Sequence, residues 1–329
     1  MICLVIPTLL LIALLFDAAN ASGYMVQSAM GNREMLYLNW DGDFDVVAPA
    51  SESGLQHWWR PYSNLSNPNA VSWRGPKYFG KSDGKFLGTV SLLDIGYGQL
   101  FLVGRVGSEL IQYSFSGGQW YKRARVISGA SGSPAMVKGR LDRPLKLVVP
   151  LSTGGIGHYN PKYSEEKNWD GPLEFGKNLG NIDAVTLTLI NNGTPGELKV
   201  IARVGNTLHQ FYYEKSRWYY DGLIATGVRG QPSLIQSSFG GEVNLFGPPS
   251  IQGNFELISP LQDGGLGHWY RDNNSPSRPW RGPKLHVPRA LPRLIIAMRQ
   301  VFGTPCLLLL SNDIQTIQSR LPTAPENPI

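Results

Sequence analysis

The sequence predicts an all-β fold, a β-propeller made of four-stranded blades. One observation is a heptapeptide phrase, Gly-Leu-x-His-Trp-x-Arg, which occurs at 54–60 and again at 265–271. A second is the Trp-x-Gly-Pro turn that follows each phrase, and a third is a series of marker tryptophans roughly fifty residues apart. Self-similarity at this period indicates one structural unit used several times, and short β-rich units of this length are typical of propeller blades.

Each unit is predicted to begin with two strands, because short β-branched and aliphatic runs are bounded by Gly, Pro and Asn. The 38 glycines and 24 prolines supply the turns, and no helix longer than one turn is expected after the N-terminal segment. The first strand lies at 25–28, 91–94, 134–137, 185–188 and 232–237, and the second at 43–47, 100–103, 145–149, 198–201 and 254–258.

The third strand carries the His-Trp phrase, of which 155–159 is a degenerate copy, and the fourth carries the Trp-x-Gly-Pro turn. Two sister units have a different third strand, in which Gln112 or Gln210 replaces the histidine. A tryptophan then marks the fourth strand of every unit. These marker residues are Trp73, Trp120, Trp169, Trp218 and Trp280.

Five units are complete, and a sixth is degenerate. It begins at 294–298 and continues through 307–310, but it lacks the His-Trp phrase and the Trp-x-Gly-Pro turn. An open ring would expose strand edges, which proteins normally protect. We therefore expect six blade positions, with a shortened array as the alternative. The propeller is expected to span 22–321, followed by a Pro-rich tail at 322–329.

The N-terminal segment is expected to be a signal peptide covering residues 1–21. It is an apolar run followed by the small-x-small pattern Ala19-Asn20-Ala21, and it is too short to span a bilayer comfortably. An uncleaved anchor is the alternative. We expect a secreted protein with no membrane span after cleavage. Three glycosylation sequons begin at Asn64, Asn192 and Asn273, and Cys306 has no intrachain partner once Cys3 is removed.

The formal net charge is +6, and the basic residues are scattered along the chain. Nucleic-acid binding usually needs a clustered basic face, so no nucleic-acid partner is expected. The positive balance favours acidic surfaces such as sialylated glycans or cell walls. No histidine pair has metal-ligand spacing within one unit, and neither a metal nor another cofactor is expected.

The His-Trp phrase, the Trp-x-Gly-Pro-x-x-Phe-Gly turn and the Gly-Asn-Phe-Glu-Leu-Ile strand resemble the repeats of PLL-type β-propeller lectins. The resemblance covers roughly residues 25–290. It implies a propeller that binds glycans in clefts between neighbouring blades, with fucose or methylated sugars as the ligands of the family. The family typically has seven blades, and this chain departs from it in blade number.

The repeated aromatic and arginine side chains support the same expectation. A sugar ring has apolar C–H faces and a rim of hydroxyls, which an aromatic plate and a few planar donors can hold. A ring of weak sites gains avidity through multivalency. The candidate ligand-binding residues are Trp58, Trp59, Arg60, Trp73, Tyr159, Trp169, Trp269, Tyr270, Arg271 and Trp280.

The same residues have a structural alternative, because a repeat must bury its own core. In alternating strands Leu55, His57 and Trp59 share one face while Trp58 lies on the other, and both faces of a blade pack against neighbours. We expect the marker tryptophans to pack between blades. The histidines His57, His158 and His268 are expected to be packed against neighbouring backbone, with their ring nitrogens hydrogen-bonded.

Two other function classes stay open. A propeller also serves as a protein-binding scaffold, since fold alone does not decide function. A propeller glycosidase would need two carboxylates flanking one bond, and no such pair is evident, so no enzymatic activity is expected. Glycans or glycoconjugates are the expected partners, and oligomerisation is possible.

Overall fold

The computed structural model describes residues 24–27, 44–60, 74–96, 99–138, 145–162, 168–190, 198–237, 253–275, 277, 279–285, 294–301 and 304–311. The predicted signal peptide, the Pro-rich tail and Trp73 lie outside these residues. Among the described residues, no helix has the length and apolar character needed to cross a membrane. The only helical segments among them are two single 3-10 turns, Lys81–Asp83 and Lys177–Leu179.

The strands form five four-stranded sheets and one two-stranded sheet, in chain order. Blade 1 holds β1 (Tyr24–Gln27), β2 (Phe44–Pro49), β3 (Leu55–Arg60) and β4 (Arg74–Phe79). Blade 2 holds β5 (Phe86–Gly96), β6 (Gln99–Val106), β7 (Glu109–Ser116) and β8 (Gln119–Ser128). Blade 3 holds β9 (Ala135–Val137), β10 (Lys146–Pro150), β11 (Ile156–Pro161) and β12 (Trp169–Phe175).

Blade 4 holds β13 (Ala184–Leu189), β14 (Leu198–Val204), β15 (Thr207–Glu214) and β16 (Arg217–Thr226). Blade 5 holds β17 (Ser233–Gln236), β18 (Phe255–Pro260), β19 (Leu266–Arg271) and β20 (Trp280–Leu285). The described residues of blade 6 form β21 (Leu294–Val301) and β22 (Thr304–Ser311). The strands of each blade pair antiparallel with their sequence neighbours. The predicted propeller of four-stranded blades, five complete and a sixth degenerate, is confirmed.

The first strands of the blades form the inner ring. Strands β1, β5, β9, β13 and β17 each contact the next one along the chain, and β21 contacts both β17 and β1. The ring therefore closes at six positions, although the sixth sheet has two strands among the described residues. This closure removes the open edge that a five-bladed arc would leave at each end.

The core lies between adjacent blades, because both faces of each sheet are covered. At the first junction Leu55 of blade 1 packs with Leu92 and Leu102 of blade 2, and all three are fully buried. The alternation predicted for the His-Trp phrase is present: His57 and Trp58 point to opposite faces of β3, and each is 1% exposed. Blades 2, 3 and 4 thus each contribute apolar side chains to two junctions.

The Trp-x-Gly-Pro motif, predicted as a turn, lies inside the fourth strand at a register shift, and its glycine has a packing reason. Gly282 adopts φ 137° and lies against Trp269, so that a Cβ at this position would come within 2.9 Å of the indole Cδ1. Only glycine accommodates both the positive φ and this close approach. The following Gly-Pro bond is cis in all three motifs, at 75–76, 171–172 and 282–283. The motif therefore seals the third-strand aromatic ring into the core.

One of the three sequons falls on a buried residue. Asn273 is 5% exposed, and its Nδ2 donates to the carbonyl of Gly253 at 2.6 Å. A glycan attached there would displace this hydrogen bond and unpack the loop, so Asn273 is not an acceptor in the folded chain. Asn64 and Asn192 lie outside the described residues.

Candidate functional site

A tryptophan on the fourth strand of one blade donates its indole N–H to the third strand of the preceding blade. The acceptor is the histidine of the His-Trp phrase or the glutamine that replaces it. Both residue types can occupy this position because each offers an acceptor atom, Nδ1 or Oε1. Among the described residues, four junctions between blades carry this contact. The pairs are Trp120 with His57 Nδ1 (3.2 Å), Trp169 with Gln112 Oε1 (2.9 Å), Trp218 with His158 Nδ1 (3.3 Å) and Trp280 with Gln210 Oε1 (2.9 Å).

The junctions alternate between two kinds. In the histidine junctions, 1/2 and 3/4, the indole lies flat on a phenylalanine of the preceding blade: Trp120 stacks on Phe79 at 4.5 Å, and Trp218 on Phe175 at 4.2 Å. The imidazole meets the indole edge-on, at 5.5 Å in both. Aromatic contacts of this geometry stabilise packing. The tryptophans of the histidine junctions are therefore packing residues, as the sequence predicted.

Two of the histidines are held by carboxylates on the second strand. His57 Nε2 lies 2.7 Å from Asp45 Oδ1, and His268 Nε2 lies 2.6 Å from Glu256 Oε2. The ring nitrogens were expected to be hydrogen-bonded, and for these two the partner is a carboxylate two positions along the second strand. The acceptor fixes the imidazole orientation, as a hydrogen-bond partner of one ring nitrogen does in general.

In blade 3 a cation takes the place of that carboxylate. Lys146 lies where Asp45 and Glu256 lie in their blades, and it donates to Asn160 Oδ1 at 2.6 Å. Burial, and secondarily the charge of Lys146, lowers the pKa of His158 to about 4. His158 is therefore neutral at physiological pH and can accept the N–H of Trp218.

The two glutamine junctions, 2/3 and 4/5, share the indole contact but differ in charge. At junction 2/3 the second-strand position is filled by Phe101, and the end of the third strand by Pro161. At junction 4/5 the same positions are filled by Lys199 and Arg271. The two junctions thus share one frame, the hydrogen bond from a tryptophan to a buried glutamine of the preceding blade. In junction 4/5 two cations lie beside this frame.

Junction 4/5 holds a connected polar network. Lys199 Nζ and Arg271 Nη1 both donate to Asp221 Oδ2, at 3.0 and 3.1 Å. Both also donate to Gln210 Oε1, at 3.2 Å each. The Nε2 of Gln210 donates to the carbonyl of Asp221 at 2.8 Å, which fixes the orientation of the amide. Trp280 is partly exposed above the network, so the junction reaches the solvent.

The sequence-predicted site residues fall into two groups by exposure. Trp58, Tyr159 and Trp269 are 1%, 4% and 3% exposed, so their rings belong to the core and no face of them is open to a ligand. Arg271 is also buried, but it reaches the polar network described above. The partly exposed residues are Trp59, Trp169, Tyr270 and Trp280.

The remaining candidates are placed as follows. Tyr270 lies beneath two cations of the fourth strand, with Lys284 Nζ at 5.5 Å and Arg281 Cζ at 5.9 Å from its ring centre. Trp73 and the side chain of Arg60 lie outside the described part of the structure. Sequence reasoning missed Lys199, Gln210 and Asp221 as site residues, although the strand holding Lys199 was identified correctly.

The fold is that of solved propeller lectins. SapL1 lectin, in complex with α-methyl fucoside, has a TM-score of 0.58 and 17% identity over 88% of this chain and 88% of its own. The Aleuria aurantia lectin, a fungal six-bladed β-propeller with a novel fucose recognition mode, has a TM-score of 0.56 and 13% identity over 85% and 84%. AofleA from Arthrobotrys oligospora has 0.58 and 10% over 86% and 77%.

No protein-family model matches the chain, and no curated protein is a detectable relative by sequence. The structural likeness therefore concerns the fold, and it confirms the propeller expected from the repeats. It agrees with six blade positions, the number in the Aleuria aurantia lectin, and not with the seven of the PLL-type family.

Proposed function

We propose that the chain is a secreted, non-catalytic carbohydrate-binding protein that engages glycans at several junctions between blades. The observation that carries the proposal is the repeated contact of a tryptophan with a buried polar residue of the preceding blade. At the glutamine junctions this contact joins an indole plate to a hydrogen-bonding group. These are the two components that a saccharide, apolar on its faces and polar at its rim, requires.

The proposed contacts follow from exposure. Trp169 at junction 2/3 and Trp280 at junction 4/5 are partly exposed, and no flat ring stack is found on them among the described residues. We assign the aromatic role to these two residues, with Trp59 and Tyr270 as further plates. Tyr159 and Trp269 form the floor beneath Trp169 and Trp280. Trp58 is buried in blade 1. Arg271 supplies donors from junction 4/5.

Multivalency follows from the repetition. A single shallow protein–sugar site is weak, and sites repeated around one rigid ring raise avidity without any new contact. Both glutamine junctions belong to the same ring of inner strands, which holds them at fixed separation. The lectins of similar fold are consistent with this use of the architecture.

A glycan array probed with the mature protein tests the proposal. We expect retention of a defined set of glycans, and we expect Trp169→Ala and Trp280→Ala to reduce it in proportion to the junction each removes. Trp120→Ala is the matched control, because that indole packs flat on Phe79. Retention of no glycan by a folded protein would contradict the proposal, and hydrolysis of an aryl glycoside would contradict its non-catalytic part.

A protein-binding scaffold is the second candidate, and one observation favours it. The outer strand of blade 4 exposes Tyr219, Tyr220 and Leu223, which are 38%, 49% and 54% exposed. Aromatic side chains are enriched at protein interfaces. Capture of a protein partner that Tyr220→Ser abolishes, by a chain that retains no glycan, would favour the scaffold.

A further inference from the structure

We infer that junction 4/5 selects saccharides that carry a carboxylate. This inference rests on the proposed glycan binding and names the ligand class of one junction. The structural basis is that two buried cations, Lys199 and Arg271, converge on the single carboxylate of Asp221. These three side chains together carry one net positive charge.

The charge excess lies where water is largely excluded. The side chains of Lys199 and Arg271 are 3% and 10% exposed, while that of Asp221 is 32% exposed. Charge–charge interactions are stronger in such surroundings than in bulk water. An incoming anion would therefore be attracted more strongly here than at the exposed lysines and arginines of the surface.

The network contains more hydrogen-bond donors than acceptors. Gln210 Oε1 accepts three N–H groups, from Lys199, Arg271 and Trp280. A carbonyl oxygen has two lone pairs, so one of these donors is better served by another acceptor. Arg271 Nε, buried as well, has no acceptor among the described residues. The junction thus has donors to spare and few acceptors.

Asp221 occupies the place that a ligand carboxylate would take. It is the most exposed member of the network, and its Oδ2 already accepts from both cations. A uronate carboxylate offers the same planar pair of oxygens, which a guanidinium binds well. The partly exposed indole of Trp280 lies beside the network and supplies the plate for the sugar ring. Asp221 therefore acts as an internal competitor for the cations.

The buried pair of cations distinguishes junction 4/5 from junction 2/3 and is not a requirement of the fold. Junction 2/3 keeps the same tryptophan-to-glutamine contact with Phe101 and Pro161 in the positions of the two cations. At the position of Asp221 it holds Arg123, which is exposed and donates to Ser114 Oγ at 2.5 Å. Junction 2/3 can receive the apolar face of a sugar, but its cation lies in solvent, where screening weakens the attraction for an anion. We expect junction 4/5 alone of these two to discriminate by charge.

The test compares methyl α-galacturonide with methyl α-galactoside, which differ only by the carboxylate at C6. Calorimetric titration of the full mature chain is expected to give about tenfold tighter binding of the uronide at low salt, the effect of one charge-assisted hydrogen bond. The preference should shrink as salt is added, because screening weakens the attraction. Sodium acetate is expected to compete poorly, since it lacks the ring that Trp280 contacts.

Two variants locate the preference. Arg271→Gln is expected to abolish it, while Arg217→Gln, the same change at an exposed position of blade 4, is expected to leave it intact. Asp221→Asn removes the competing charge and is expected to raise the affinity for the uronide several-fold, with little change for the galactoside. This gain of binding keeps the test decisive if Arg271→Gln does not fold.

The outcomes separate this inference from the proposed function. Equal binding of the uronide and the galactoside would overturn the charge selection and leave glycan binding in place. A preference that persists in folded Arg271→Gln, or that Asp221→Asn lowers, would overturn its assignment to junction 4/5. Competition by acetate as strong as by the uronide would overturn the saccharide as ligand. Absence of binding to any glycan would overturn both proposals.

Discussion

Junctions 2/3 and 4/5 share one frame and differ in chemistry. In each, an indole N–H bonds a glutamine oxygen at 2.9 Å across the blade boundary, and the glutamine is buried. Around Gln112 the second-strand and third-strand neighbours are Phe101 and Pro161, whereas around Gln210 they are Lys199 and Arg271. The frame is thus reused while the charge beside it changes.

The difference separates what the repeat needs from what recognition needs. A blade must bury its faces, so the tryptophan, the glutamine and the apolar floor recur. The second-strand position next to them holds a buried ring in Phe101 or a buried cation in Lys199, and the cation is accommodated because Asp221 pairs with it. Under the proposed function, specificity is therefore expected to be set junction by junction, by a few side chains at fixed places.

The floors of the two junctions are expected to be equivalent. Trp269→Ala below junction 4/5 and Tyr159→Ala below junction 2/3 should each lower the free energy of unfolding by about 3–5 kcal/mol, because each truncates a buried ring and leaves a cavity. Urea denaturation measures the loss. A loss below about 1 kcal/mol for either variant would mean that its ring is not part of the core.

A titratable variant of the same frame is found at junction 3/4. The pKa of His158 is lowered to about 4 from 6.5, so the unfolded chain binds more protons than the folded one between these values. Stability is therefore expected to fall as the pH is lowered from 6.5 towards 4, by about 3 kcal/mol in total. Denaturation midpoints measured across this range test it.

The control for this pH dependence is supplied by the other junctions. His158→Gln installs the side chain that Gln112 and Gln210 provide, with no group to titrate. It is expected to flatten the stability profile between pH 4 and 6.5 while preserving the contact with Trp218. An unchanged profile would assign the acid sensitivity to a different group.

Truncating the outer-strand residue next to the glutamine is expected to lower the free energy of unfolding more at junction 4/5, where it is Asp221, than at junction 2/3, where it is Arg123. Asp221→Ala leaves Lys199 and Arg271 without their shared anion and should cost about 2 kcal/mol, since Asp221 is partly solvated. Arg123→Ala, the corresponding change in blade 2, removes an exposed side chain and should cost within about 0.5 kcal/mol. Comparable losses from both would remove the distinction between the junctions.

The smallest effect is expected from the shared contact itself. Gln112→Leu keeps the volume of the side chain but leaves the N–H of Trp169 without its acceptor, at a cost of about 1 kcal/mol. The indole fluorescence and the unfolding midpoint report the change. Stabilisation by this substitution would show that the contact is not part of the frame.

Local patterns predicted the fold well, because propeller blades are built from neighbouring strands. The His-Trp phrase and the Trp-x-Gly-Pro motif lie on adjacent strands of one blade, within reach of sequence periodicity. The partners of the site come from different blades. Trp280 and Gln210 are 70 residues apart, and no repeat within one unit connects them.

One further signal was present in the sequence. Asp45 precedes His57 by 12 residues and Glu256 precedes His268 by the same spacing. Lys199 precedes Gln210 by 11. Comparing this one strand position among the units separates acidic from basic blades, and it could have identified Lys199 before the structure. Lys199 and Asp221 belong to blade 4 and Arg271 belongs to blade 5. Their meeting depends on how the two blades pack, which sequence periodicity does not describe.

The most direct test of glycan binding between blades is the response of the indole N–H groups in the ¹⁵N spectrum of the labelled chain. On titration with methyl α-galacturonide, the resonance of Trp280 is expected to shift most, while that of buried Trp269 stays nearly fixed. Assignment by Trp280→Phe and Trp269→Phe identifies the two signals. Binding that leaves the Trp280 resonance in place, or no response of any indole to any saccharide retained on the array, would contradict a site between the blades.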